Sequence, residues 1–136
     1  MVTIYTWGYR GRTKEDLQEV IAGLPGRVLV VDVRRRAAGA RIANGWQASD
    51  VDHACRSRGA SYYRASSLGN QSNTLPWVRH ELAAQELLYC AGCAITTNVL
   101  LICAEVNAAG CHRSEVAEAV AEILRAAGID AEVRHL

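Results

Sequence analysis

A single lysine, two prolines and no long apolar run are what this 136-residue sequence has least of. With so few prolines, and with charges mixed along the chain, a disordered or low-complexity polymer is excluded. The longest apolar stretches, such as Val99 to Ala104, are far too short to span a bilayer. Arg10, Arg12 and Lys14 stand where a signal peptide would keep its apolar core, so neither export nor membrane anchoring is expected. Gly8 and Gly11 are too sparse for a dinucleotide fingerprint, which gives nicotinamide and flavin no support. Cys90 and Cys93 have the spacing of a zinc or redox pair, but no second pair joins them, so no metal or other cofactor is expected.

What is present describes a globular protein. Half of the residues are apolar and 21% are charged, enough for one sizeable core and one domain over residues 1–136. The net charge of +1 is unevenly spread: residues 1–70 carry +5 and residues 71–136 carry −4. An anion is therefore drawn to one side of the molecule. Fourteen of the fifteen basic residues are arginine, whose planar fork suits phosphate and carboxylate. A GC-rich genome explains the same bias equally well. Five cysteines, an odd number without a secretory signal, point to reduced thiols in a cytoplasmic setting.

Short β-rich runs alternate with helical periods. Thr3 to Thr6 reads as a first strand, and Thr13 and Asp16 have the spacing of a capping pair opening a helix whose Leu17, Val20, Ile21 and Leu24 share one face. Pro25-Gly26 ends that helix. Val28 to Val33 is almost wholly apolar, as a central strand covered on both faces must be. Ala37 to Gln47, without a period, reads as a mobile loop. Ser49 and Asp52 repeat the capping spacing and open a helix to about Arg58, followed by a strand at Ala60 to Tyr63 and a polar loop at Ser66 to Thr74. Pro76 suits the first turn of a helix to about Cys90, with Gly92 near its end. Val99 to Cys103 is another buried strand and Ala104 to Gly110 a loop. Cys111-His112-Arg113 starts the last helix, with Val116, Val120, Ile123, Leu124 and Ala127 as its apolar stripe and Gly128 as its end. Ala131 to Leu136, alternating with Glu132 and Arg134, reads as an edge strand.

This order predicts an α/β fold: a Rossmann-like sandwich with a mostly parallel five-stranded sheet and helices on both faces. Ligands of such folds bind at the carboxyl ends of the strands. Trp7 to Arg12, Asp32 to Arg36 and Cys103 to Arg113 are therefore expected to share one cleft.

The stretches Ile4-Tyr5-Thr6-Trp7-Gly8-Tyr9-Arg10-Gly11-Arg12-Thr13, Val31-Asp32-Val33-Arg34-Arg35-Arg36, Leu68-Gly69, Cys103-Ala104-Glu105, Cys111-His112-Arg113 and the terminal His135-Leu136 resemble domain-of-unknown-function family 488 across nearly the whole chain. Trp7 stands where that family usually has an aliphatic residue, and the loop after Arg36 lacks its usual prolines. The resemblance implies a small cytoplasmic α/β domain and supplies no catalytic assignment, so function is argued from the residues.

A thiol at a strand end is a nucleophile where a cation or a helix terminus favours its thiolate, and equally an apolar cap on a core strand. That makes Cys103 a candidate, with Glu105 and His112 as the other chemical groups. Cys103 precedes Arg113 by ten positions, not the six of a cysteine phosphatase loop. Arg113, in the first turn of a helix, works against the helix dipole and is expected to serve an anionic ligand more than the fold, unless it closes an ion pair with Glu105, Glu115 or Asp32. Asp32 either binds substrate or holds the neighbouring arginines in place. Tyr9, Arg10, Arg12, Arg34 and Arg36 complete the expected substrate-binding set, and Trp7, Tyr9, Trp46 and Tyr63 could stack on a base. The leading expectation is an enzyme acting on a phosphate-bearing small molecule or nucleic acid. A binding module without chemistry, and a thiol redox or sulfur-handling protein using Cys103 with Cys111, stay open beside it.

Overall fold

The computed structural model describes residues 1–70, 76, 78–108 and 111–136. Five strands, β1 (Val2–Gly8), β2 (Val28–Asp32), β3 (Ser61–Arg64), β4 (Asn98–Cys103) and β5 (Ala131–His135), form one sheet in the order β3-β2-β4-β1-β5. Every pairing is parallel, so all carboxyl ends lie on one rim. Four helices connect them: α1 (Lys14–Gly23), α2 (Ala48–Arg56), α3 (His80–Ala94) and α4 (His112–Ala126).

Side-chain alternation along the strands builds two cores. Ile4, Leu29, Val31, Val99, Leu101 and Cys103 pack with α3 and α4 on one face. Tyr5, Trp7, Val28, Val30, Leu100 and Ile102 pack with α1 and α2 on the other. The expected α/β sandwich, with β1, β4 and β2 as parallel neighbours, is the observed one. Among the described residues, no helix is long and apolar enough to cross a membrane.

Thr13 caps α1 as its spacing predicts: Asp16 N–H donates to the threonine hydroxyl and Thr13 N–H to the Asp16 carboxylate. Elsewhere the ends differ from expectation. Helix α2 starts one residue ahead of the Ser49/Asp52 pair, with Gln47 as its cap and Asp50 accepting from the Gln47 backbone. Pro76 precedes α3 instead of opening it; Arg79 is the cap, and the helix runs through Gly92 to Ala94 because Cys90, Ala91 and Ala94 bury themselves there. In α4 the buried stripe is Val116, Ala117, Val120, Ala121 and Leu124, whereas Ala127 is exposed past the helix end. Of the polar loop expected at Ser66 to Thr74, Ser66–Leu68 is a single 3-10 turn, and residues 71–74 lie outside the described part.

The segment from Ala37 to Gln47 contains no helix or strand, as expected of a loop. It is nonetheless tied down. The Gln47 side chain donates to the Gly39 carbonyl and accepts from its N–H, Ala48 N–H donates to the Ala37 carbonyl, and Trp46 is buried.

Candidate active site

The three expected segments meet at the carboxyl rim around a cavity of about 380 Å³. Tyr9 from the end of β1, Arg34, Arg35 and Arg36 from the end of β2, and Cys103 to Glu105 from the end of β4 contribute to its wall. Cys111 and His112, at the start of α4, Ile42 and Asn70 complete it. Two glycines permit the closeness of these segments. A Cβ on Gly8 would coincide with the carbonyl of Glu105, and one on Gly69 would stand 2.5 Å from the Cα of Arg35. Each glycine is therefore required by an approach of two backbones.

Beneath the cavity lies a buried ion pair. Arg34 donates to Asp32 through Nε (2.8 Å) and Nη2 (2.7 Å), and through Nη1 to the carbonyl of Trp46. Tyr62 adds its hydroxyl to Asp32 Oδ2 at 2.5 Å. Burial alone would lower the affinity of Arg34 for its proton, but the hydrogen bonds and charge of Asp32 outweigh it and raise the pKa. Tyr62 is likewise raised, by burial first and by Asp32 second. Asp32 is fully buried with its lone pairs occupied, so it orders the arginine run and does not reach a ligand. Arg34 reaches the wall with its guanidinium already committed.

The other arginines divide by exposure. Arg35 and Arg36 are exposed, line the cavity and make no ion pair among the described residues. Arg10 is at the surface, 2.8 Å from the carboxylate of Glu105. Arg12 lies over the ring of Trp7, 5.2 Å from its centroid, outside the cavity wall. The aromatic residues are spent on packing. Tyr9 stacks on Trp46 (4.3 Å between centroids, 18° between planes), with Arg34 over the Tyr9 ring at 5.5 Å. Trp7 packs against Trp46, and Tyr63 against Tyr89. Only Tyr9 of the four touches the cavity, so they do not form an open platform for a base.

Arg113 corrects the sequence expectation most. It is fully buried and does not line the cavity. Its Nη1 donates to the Glu105 carbonyl and to the Cys103 sulfur, the latter at 3.1 Å, and its Nη2 to the Val106 carbonyl at 2.9 Å. Among the described residues it makes no ion pair, and its Nε has no partner. A buried guanidinium held only by neutral acceptors favours an anion beside it. The Cys103 sulfur, 3.1 Å from Nη1, is able to become one; the charge of Glu105 also acts on Arg113, without an ion pair between them.

Cys103 and Cys111 bring their sulfurs into contact across the cavity floor. Their Cα atoms are 7.8 Å apart, wider than a relaxed disulfide allows, so the two side chains face each other as thiols. His112 flanks them. Its Nε2 is 2.5 Å from the Val33 carbonyl, which can only accept, so Nε2 carries the hydrogen and Nδ1 presents a lone pair 3.7 Å from the Cys111 sulfur. Burial lowers the His112 pKa, which keeps the ring neutral and that lone pair free.

Sequence reasoning did not choose Arg35 or Asn70 for the site, and named Cys111 only as a redox partner of Cys103. Cys111 stood in a motif already singled out and Arg35 in the arginine run, whereas Asn70 shows only by following Leu68-Gly69. No protein-family model, no curated protein and no solved structure matches the chain.

Proposed function

We propose that the chain is an enzyme acting on a phosphate-bearing substrate of nucleotide or nucleic-acid type, with Cys103 as its nucleophile. One observation carries this reading. Arg113, buried and not ion-paired among the described residues, stands 3.1 Å from the Cys103 sulfur at the floor of a cavity where Arg35 and Arg36 make no ion pair among the described residues. A guanidinium at that distance stabilises a thiolate, the form of cysteine that attacks. Arg35 and Arg36 supply the charge-assisted hydrogen bonds that hold a phosphate over it.

The phosphate is an anchor and not the reacting group. Ten positions separate Cys103 from Arg113, and Arg113 has both terminal nitrogens committed to Cys103 and to the carbonyls of 105 and 106, so no cysteine-phosphatase cradle is formed. The Cys103 thiolate bonds to an electrophilic carbon of the anchored molecule as the bond from that carbon to its leaving group breaks, the leaving group departing with a proton from solvent. Water, giving up a proton to neutral His112 Nδ1, then cleaves the S–C bond, releases the product and restores Cys103. Glu105 fixes Arg10 at the mouth. We place the chain with domain-of-unknown-function family 488 on its Cys-Ala-Glu and Cys-His-Arg motifs, and in a reducing, cytoplasmic setting that keeps its thiols available.

Alkylation of the reduced protein with iodoacetamide, followed residue by residue by mass spectrometry, tests the reading. Cys103 should react ahead of Cys55, Cys90 and Cys93, and a mononucleotide or inorganic phosphate should slow it. Indifference of Cys103 to both anions would reject the reading. If wild type binds nucleotides but leaves a panel of them unchanged, the protein is a binding module.

A further inference from the structure

We propose that Cys103 and Cys111 form a reversible dithiol–disulfide couple driven by hydroperoxides, in which Cys103 is oxidised first and Cys111 resolves it. The inference rests on the same Cys103 thiolate as the function above, and adds a chemistry that function does not need.

The two sulfurs differ in surroundings although they touch. Arg113 reaches Cys103 alone, and its charge favours the anion that reacts with a peroxide. Cys111 instead faces the unprotonated nitrogen of His112, which can take a thiol proton. Both sulfurs border a cavity wide enough for a small peroxide. Forming a disulfide must draw the two Cα atoms together by at least about 1 Å.

The other thiols lack these features. Cys55 and Cys90 are buried in the cores, where loss of solvent pushes both up to about 12. Cys93 is half-buried on α3, on an element that does not border the cavity.

The chemistry balances without a cofactor. The Cys103 thiolate attacks the distal oxygen of the hydroperoxide and the O–O bond breaks. The departing alkoxide, or hydroxide from hydrogen peroxide, leaves as alcohol or water once protonated, and Cys103 is left as a sulfenic acid. The Cys111 sulfur then attacks the Cys103 sulfur while its proton passes to His112 Nδ1. The sulfenic oxygen leaves with that proton as water. Two thiols have lost two electrons and the hydroperoxide has gained them. The product has no thiolate at position 103, so oxidation switches the site off until an external dithiol restores it.

The full chain, reduced, freed of reductant and treated with equimolar hydrogen peroxide, is digested without reduction. The expected product is a Cys103–Cys111 linked peptide, with Cys55, Cys90 and Cys93 still free and the linkage reversed by dithiothreitol. In Cys111→Ser, Cys103 should gain one oxygen and be trapped by dimedone, whereas in Cys103→Ser the oxidation of Cys111 should be slower by roughly tenfold or more. A linkage through Cys90 or Cys93, direct passage of wild-type Cys103 to the sulfinic acid, or equal oxidation rates in the two variants would overturn the couple. Wild-type mapping decides even if a serine variant fails to fold. Linkage without anion protection of Cys103 would reject the function proposed above and leave the couple standing, and protection without linkage would do the reverse.

Discussion

The guanidinium of Arg113 stands 3.1 Å from the sulfur of Cys103 while its remaining contacts go to the carbonyls of Glu105 and Val106. One side chain therefore holds both the Cys103 sulfur and the residues that follow it. Arg113→Ala should lower stability by about 2–4 kcal/mol, chiefly through the cavity left by a fully buried side chain, with two part-buried carbonyls also losing their donor. Arg113→Lys keeps the charge but not the fork, so it should recover part of the stability and part of the Cys103 alkylation rate. Urea denaturation measures the first effect. An alanine variant as stable as wild type would mean that Arg113 does not hold those residues.

Acid should weaken the fold before the carboxylates titrate. Burial lowers the folded-state pKa of His112, so between its unfolded value near 6.5 and that lower value the unfolded chain binds more protons. His112 thus contributes full stability above about pH 6.5, and the contribution falls as pH drops below it. His135 is shifted the same way, by burial and then by Arg113, and adds to the slope. The melting temperature should fall from pH 7 to pH 5, and less steeply in His112→Gln, whose amide can still donate to the Val33 carbonyl. A slope unchanged by that substitution would show that His112 is not held neutral by the fold.

The buried strands and their shared rim were legible because parallel sheets write themselves as apolar runs. Val28 to Asp32 and Val99 to Cys103 are covered on both faces, and each run ends where its polar residues begin. Capping pairs were legible where they are common, Thr13 with Asp16 being readable and Gln47 with Asp50 not, while the start of α4 at Cys111-His112 was read without a side-chain cap. The role of Arg113 was hidden for a different reason. Its place in the first helical turn is a sequence property, but its partners are carbonyls of a loop packed over Gly8, and spacing carries no record of that packing. The arginine run had the same limit. Nothing in Arg34-Arg35-Arg36 says that Asp32 claims the first and leaves the other two without an ion pair among the described residues.

Asp32 and Arg34 make a testable unit. Asp32→Asn removes the charge that Arg34 faces in a buried site and weakens two of its donors, so it should cost about 3–5 kcal/mol. It also leaves the Tyr62 hydroxyl with a poorer acceptor. Chemical denaturation checks this. A near-neutral effect would free Asp32 from its structural role and return it to the list of ligand contacts.

Arg35 and Arg36 should show the opposite balance. Both are exposed at the cavity wall without an ion pair among the described residues, so alanine at either should change stability by no more than about 0.5 kcal/mol. Each removes one charge from the anion site. If the substrate is a nucleic acid, the slope of log affinity against log salt should fall by about one for each arginine lost. If it is a small phosphate-bearing molecule, affinity should fall at all salt concentrations while the slope stays shallow. Gly69→Ala offers a control that touches neither guanidinium. Its Cβ would press on the Arg35 Cα, so it should weaken anion binding by displacing the Arg35 backbone. Titration of a fluorescent mononucleotide and of a short single-stranded oligonucleotide into the four proteins separates these outcomes. Wild-type affinity for both probes in Arg35→Ala and Arg36→Ala would remove the phosphate anchor from the proposed mechanism.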